Sequence, residues 1–353
     1  MCLLCADLTK DGDRMEQPKK SRLNSLVMIL LFAGILLALC GNLILGSGKQ
    51  RVFREDMLVT VGQQGDYLTL GEALSYLSGF TPAYEDGGLL CEVRILSGTT
   101  IREQIAVCGT DLQYITITSE DPVVPVDSMG WEDNGLNYHD LRGDVAFLGA
   151  ENGGGLPTVG TVFQLQTKGQ KNAAACFLNR DSHGILLPGA GFDGFYDGCI
   201  VNNESSLVMR EAVSRNMTRW GIHARHNGEI EARSADLTGC GLSVYGDRAA
   251  DLDVRNADVR GSLKALDSRN LSRINANGCE IYYCAGREGY VVYAEAGGEV
   301  NCTDTDIQYC DTDVFGVKRG GTIYASGAKV VKKSGRVFSQ ETNTVTADGV
   351  IYE

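Results

Sequence analysis

EIEARSADLTGCGLSVYGDRAADLDVRNADVRGSLKALDSRNLSRINANGCEIYY, residues 229 to 283, states one pattern more than twice over. Ile230, Leu252 and Ile274 stand 22 residues apart, and two positions after them come Ala232, Val254 and Ala276. Five positions after each anchor lie Ala235, Ala257 and Cys279; seven positions after lie Leu237, Val259 and Ile281. The same columns extend back through Leu207 to Ile185 and forward through Val300 to Ile323, at spacings of 22, 23, 22, 22, 26 and 23. Apolar residues two apart are strand spacing, and a unit of this length is that of a stacked coil. One unit cannot bury its apolar side alone, whereas stacked units share a continuous core. The pattern predicts an all-β parallel solenoid over 57–335. Its five-offset column, mostly Ala from Ala190 to Ala328, predicts a narrow interior closed to large rings. Ser214 is the one polar intruder in the seven-offset column.

Composition agrees with that reading. Gly is abundant (44) and Pro scarce (6), as tight corners and an unbroken backbone ladder require. A net charge of −13 argues against a nucleic-acid-binding surface, which needs clustered Lys and Arg on one face, and against adhesion to an anionic membrane surface. Of the 12 cysteines, Cys279 and Cys302 fall in inward columns. Cys240, Cys284 and Cys310 share a ten-offset column with Phe195 and Met217. All five are expected to be buried thiols behaving as small hydrophobes. No Cys-x-x-Cys pair in the repeats suggests zinc, so no metal site is assigned.

The first fifty residues differ in kind. A polar tail, 1–22, ends in Lys19, Lys20 and Arg22, ahead of a hydrophobic segment over 23–46. Its core, LVMILLFAGILLALCGNLIL (26–45), is just long enough to cross a bilayer. It is expected to be a single-pass anchor with the repeats outside the cytoplasm, or else a cleaved signal or a misassigned start.

Repeats are entered through VTVGQQGDYLTLGEALSYLSG, residues 59–79. A strand from Leu58 to Val61 should lead through a Gly-rich turn into a helix. Thr69 and Glu72 form its capping box, and Leu70, Ala73, Leu74 and Leu77 its apolar stripe. Without Gly-Lys-Ser/Thr the glycines are not a phosphate loop. The entry at 61–74 resembles the start of right-handed β-helix proteins of the pectin-lyase-like superfamily. Residues 93–122 (VRILSGTTIREQIAVCGTDLQYITITSEDP) and the ending TNTVTADGVIYE resemble bacteriophage or prophage tail-fibre and tail-spike proteins built on that helix. The resemblance covers roughly 57–353. It implies a virion tail protein binding cell-surface polysaccharide, a homotrimer, with 336–353 a C-terminal strand or an oligomerisation segment, and other tail proteins as partners. It also allows a polysaccharide lyase or glycoside hydrolase, since this fold hosts both classes.

Candidate chemistry lies on outward positions. Glu229 and Glu231 on one rung face Asp251 and Asp253 on the next. Carboxylates roughly 5 Å apart suit retaining glycoside hydrolysis, with Glu231, Asp251 and Asp253 as the catalytic candidates, or a calcium site. The neighbouring column Arg210, Arg233 and Arg255 offers instead a plain charge ladder, in which replacing Asp253 by Asn costs no more than about 0.5 kcal/mol. A second catalytic set is His183, Asp193 and Asp197 near the first rung, with His223 and His226 two coils on. Polygalacturonase-like proteins of the superfamily carry several aspartates and a Gly-His-Gly. Here Ser182-His183-Gly184 and Phe192-Asp193-Gly194 stand without a paired Asp-Asp. Finally, Tyr282, Tyr283 and Tyr309, with Arg215 and Arg260, offer aromatic faces and guanidinium groups for sugar binding.

Overall fold

Strands Glu229–Glu231, Asp251–Asp253 and Arg273–Asn275 each place one apolar residue between two polar ones, and only the apolar one is buried. They lie parallel, with Ile230 over Leu252, Ile274, Val300 and Ile323 in turn. The computed structural model describes residues 51–83, 88–133, 136, 144–285, 289–338, 345–346 and 351–352. Val52–Glu353 is one compact unit, and it carries the repeats. The segments 1–22 and 23–46 lie outside the described residues. Among the described residues no helix is long and apolar enough to cross a membrane.

The Val52–Glu353 unit is nearly all-β with long parallel sheets, compatible with a parallel β-helix. From His183 onward, the chain visits three faces in turn, the second by single bridges alone between Val213–Arg215 and Glu280–Tyr282. The anchor strands build an eight-stranded sheet from His183–Ile185 to Val345–Thr346. Residues around offset seven build a second face, from Val123–Asp127 through Val213–Arg215. Single bridges through Asp236 and Asp258 carry that face to Glu280–Tyr282 and beyond. The third is a nine-stranded sheet running from Ile105–Cys108 to Asp313–Lys318.

Left-handed backbone recurs at fixed positions between the strands. One column holds Glu211, Ser234, Asn256, Gly278, Asp304 and Gly327, all with φ between 55° and 71°. Another holds Asn216, Gly239, Gly261, Tyr283 and Tyr309. A third is a two-residue turn before each anchor strand, such as Asn203-Glu204 and Asn270-Leu271. These conformations favour Gly and Asn, which accounts for much of the glycine content and for Asn203, Asn216 and Asn270.

The helix forms as its sequence dictates, over Leu70–Leu77. Both arms of the Thr69–Glu72 capping box are made, and Leu70, Ala73, Leu74 and Leu77 are the buried residues. It packs against strands Met57–Val61 and Cys91–Ile95 at the N-terminal end of the unit.

Two expectations need correction. The first anchor is Gly184 rather than Ile185, because Gly184 pairs with Leu207 and Ile185 with Val208. Leu186 is therefore buried and Leu187 exposed; one extra residue before Gly189 restores the register, so that Phe192 faces Ser214. The interior is also not closed to rings. Phe147, Phe163, Phe192 and Phe195 are fully buried, with Phe147 and Phe163 packed edge to face at 4.9 Å. They fill the first rungs, where strands of up to seven residues, such as Val145–Glu151 and Ala173–Asn179, frame the core. Only the later rungs are Ala-lined. The described pieces of the C-terminal segment pair as strands within the chain. Val345–Thr346 lies on Thr322–Tyr324 and Ile351–Tyr352 on Lys329–Lys332, adding another rung.

Ser214 is no irregularity: its buried hydroxyl donates to the Gly221 carbonyl at 2.7 Å. Cys240, Cys279, Cys284, Cys302 and Cys310 are buried free thiols in the expected columns. Burial pushes the Cys240 and Cys279 thiols up to about 12, against only weak opposition from nearby backbone N–H groups.

Candidate functional site

On the nine-stranded sheet, Phe177, Ile200, His223, Tyr245, Asp267 and Tyr293 stand in register as one outward column. Its early part is covered. Leu136 lies over Gly149 so closely that a Cβ there would meet it at 2.2 Å, and Phe177, Ile200, Ala146 and Ala174 complete a small apolar cluster. Trp220 packs against the edge of that cluster. Beyond it the column opens into a groove of about 510 Å³ lined by Tyr196, Arg219, Trp220, Tyr245, Lys264, Asp267 and Arg269, among others.

The aromatic rings of this groove are fixed by one another. His223 lies 4.2 Å from Trp220 and is stacked on Tyr245 at 4.6 Å, with the planes 22° apart. The Arg219 guanidinium sits 3.8 Å over the Trp220 ring and 4.9 Å from that of Tyr196. Its Nε donates to Asp197 at 2.8 Å and its Nη2 to Asp144 at 2.8 Å. Further along, Lys264 Nζ donates to Asp267 at 2.6 Å while lying 4.7 Å from the Tyr293 ring. Two Arg269 nitrogens donate to the same Asp267 carboxylate at 2.8 Å each. Every cation of the groove thus has a carboxylate behind it and an aromatic face beside it.

Burial governs the titration of Asp197, His223 and Tyr245. It pushes the Asp197 carboxyl up, assisted by the charge of Asp144 and opposed by Arg219. Burial holds His223 well below the usual imidazole range, and the Arg225 and Arg219 charges act in the same direction. His223 is therefore neutral at pH 7, an aromatic filler whose ring nitrogens have no hydrogen-bond partner among the described residues. Tyr245 is pushed up to about 12 by burial, so its hydroxyl stays protonated under physiological conditions.

The sequence candidates fall on three separate faces. Glu231 and Asp253 do stack, but between guanidinium groups: Arg210 and Arg233 lie 2.7 and 3.1 Å from Glu231. Arg233 and Arg255 lie 2.8 and 2.7 Å from Asp253. Asp253 is held down to about 2, since Arg255 and Arg233 outweigh the upward push of its burial. That is the reverse of what a general acid needs. Asp251 stacks between Glu229 and Arg273 on the same sheet. His183 is on this sheet too, 3.3 Å from Asp111. Asp193 is on the second face, accepting from Arg215 at 3.1 Å and Asn216 at 2.8 Å. Only Asp197 reaches the groove, as the buried support of Arg219. Arg215 bridges Asp193 and Asp236, and Arg260 grips Asp258 through Nε at 2.7 Å. Tyr282 donates to Asp306 at 2.7 Å. Among the described residues no three His, Cys, Asp or Glu side chains are grouped to hold a metal ion.

No protein-family model matches this chain, and no curated protein does. The groove is legible only from its own chemistry. Forward counting from the anchors misses it, because the segment after the second face varies in length. Backward counting finds it: Asp197, Trp220, Leu242, Lys264 and Tyr290 each lie ten residues before the next anchor.

Proposed function

We propose that Val52–Glu353 is a right-handed parallel β-helix of the pectin-lyase-like kind, binding a surface polysaccharide along the groove of its nine-stranded sheet. The observation that carries this reading is the pair Trp220 and Tyr245 with Arg219 and Arg269, half-buried side chains that line one groove. It presents flat faces with hydrogen-bond donors fixed beside them. Pyranose rings offer an apolar C–H face to an aromatic ring and hydroxyls to cations. Rotation of the chain through three faces supports the β-helix. The tail-protein resemblance of 57–353 supports a homotrimeric receptor-binding role on a virion. Recognition without cleavage is preferred over a lyase or hydrolase because Asp267, the carboxylate lining the groove, is engaged by both Lys264 and Arg269.

The full-length chain in detergent micelles is tested on a printed array of bacterial capsular and O-antigen polysaccharides. Trp220→Ala and Tyr245→Ala should each weaken retention about tenfold. Retention unchanged in Trp220→Ala removes the groove from the reading. New reducing or unsaturated ends in the retained polymer transfer the assignment to an enzyme. Sedimentation should give three chains per particle.

A further inference from the structure

Tyr283 and Tyr309 hold φ of 58° and 54°, in a corner column otherwise occupied by Asn216, Gly239 and Gly261. Bulky L side chains rarely adopt this backbone, and nothing in the local chain demands a ring there, since earlier rungs turn the same corner with glycine. The two rings do not serve the core. They are 63% and 45% exposed, stacked on each other at 5.4 Å with planes 13° apart. Tyr309 covers one face of Tyr283. Tyr282 stands edge-on to Tyr283 at 6.5 Å, and in the same corner column on the preceding rung is Gly261, where an added Cβ would find its nearest neighbour 3.9 Å away. The result is an exposed aromatic wall beside a corner stripped of side chains.

Polar groups around this wall are already satisfied. The Tyr282 hydroxyl and the Gln308 amide both donate to Asp306, and Arg260 is bound to Asp258. Arg260 is thus committed, and Asp306, beside the Tyr282 hydroxyl, would repel a sugar carboxylate. We propose that Tyr283 and Tyr309 form a second saccharide subsite, on a different face from the groove, that stacks a neutral pyranose over Gly261. This rests on the polysaccharide reading above but uses separate residues, so the two can fail independently.

The test is saturation-transfer NMR on the full-length chain in detergent, with cellohexaose, maltohexaose and chitohexaose as probes. Wild type should transfer magnetisation to the sugar C–H protons of at least one of them. Tyr283→Gly should weaken that binding by about tenfold or more. Glycine suits the left-handed corner, so this variant should melt no lower than wild type, and loss of signal cannot be laid to misfolding. Trp220→Ala should leave a residual signal that disappears on adding Tyr283→Gly. The proposal is overturned if no hexasaccharide gives a signal, if Tyr283→Gly binds as wild type does, or if Trp220→Ala alone abolishes all transfer. A change of sedimentation coefficient in Tyr283→Gly would overturn it too, by assigning this wall to a neighbouring subunit.

Discussion

Asp253 shows how far one side chain's setting departs from its sequence neighbourhood. Read as an exposed member of an alternating ladder, it should matter little. In the structure its carboxylate is only 20% exposed and accepts from both Arg233 and Arg255. Asp253→Asn should therefore cost about 1 kcal/mol at pH 7, after allowance for screening of the half-exposed arginines. The folded-state pKa of about 2 is depressed below the unfolded value. The stabilisation is thus fully present above about pH 4 and is lost as pH falls through 2. Denaturant melts of wild type and variant between pH 7 and pH 2 should converge at the acid end. A gap that is constant over this range would mean that the carboxylate charge plays no part.

At the scale of the element, the corners matter as much as the strands. Gly261 has open space around its Cβ position, yet its φ is 70°. Steric reasoning alone would permit any residue there. Backbone reasoning predicts that Gly261→Val costs about 1–2 kcal/mol, because a β-branched residue strains the left-handed region. Thermal melts of Gly261→Val should show that loss, and an unchanged Tm would mean that this corner can turn by another conformation. The strands themselves were legible because apolar side chains alternate with polar ones in the anchor triplets from Glu229–Glu231 to Glu299–Asn301. Corners were legible only as an excess of glycine, since Glu211, Ser234 and Asp304 hold the same conformation without announcing it. The Gly184–Ile185 slip has the same origin. An inward glycine has no side chain to mark the column, and the adjacent isoleucine imitates the anchor.

At the scale of the whole molecule, repetition explains what sequence could and could not disclose. The columns from Leu207 to Ile323 were readable because each rung repeats its neighbour, whereas the groove consists of what does not repeat. Trp220, Leu242, Lys264 and Tyr290 occupy one column with four chemistries, and a periodic search discards such positions. If the chain is a stack of nearly independent turns, stability is a sum of turns and nearest-neighbour contacts. Removing one full period should then leave the rest in register. Deletion of residues 252–273 joins Asp251 to Ile274, so Ile230 meets Ile274 in place of Leu252 and every corner column stays aligned. That variant should keep a wild-type β-sheet circular dichroism signal per residue and a single cooperative melt. It should also lose polysaccharide retention, because Lys264, Asp267 and Arg269 leave the groove with the deleted turn. Deleting only half a period, residues 252–262, puts Leu263 where Leu252 stood and throws corners against strands, so it should abolish the folded signal. Equal damage from both deletions would contradict stacking by turns, and equal tolerance would contradict the register on which the buried columns depend.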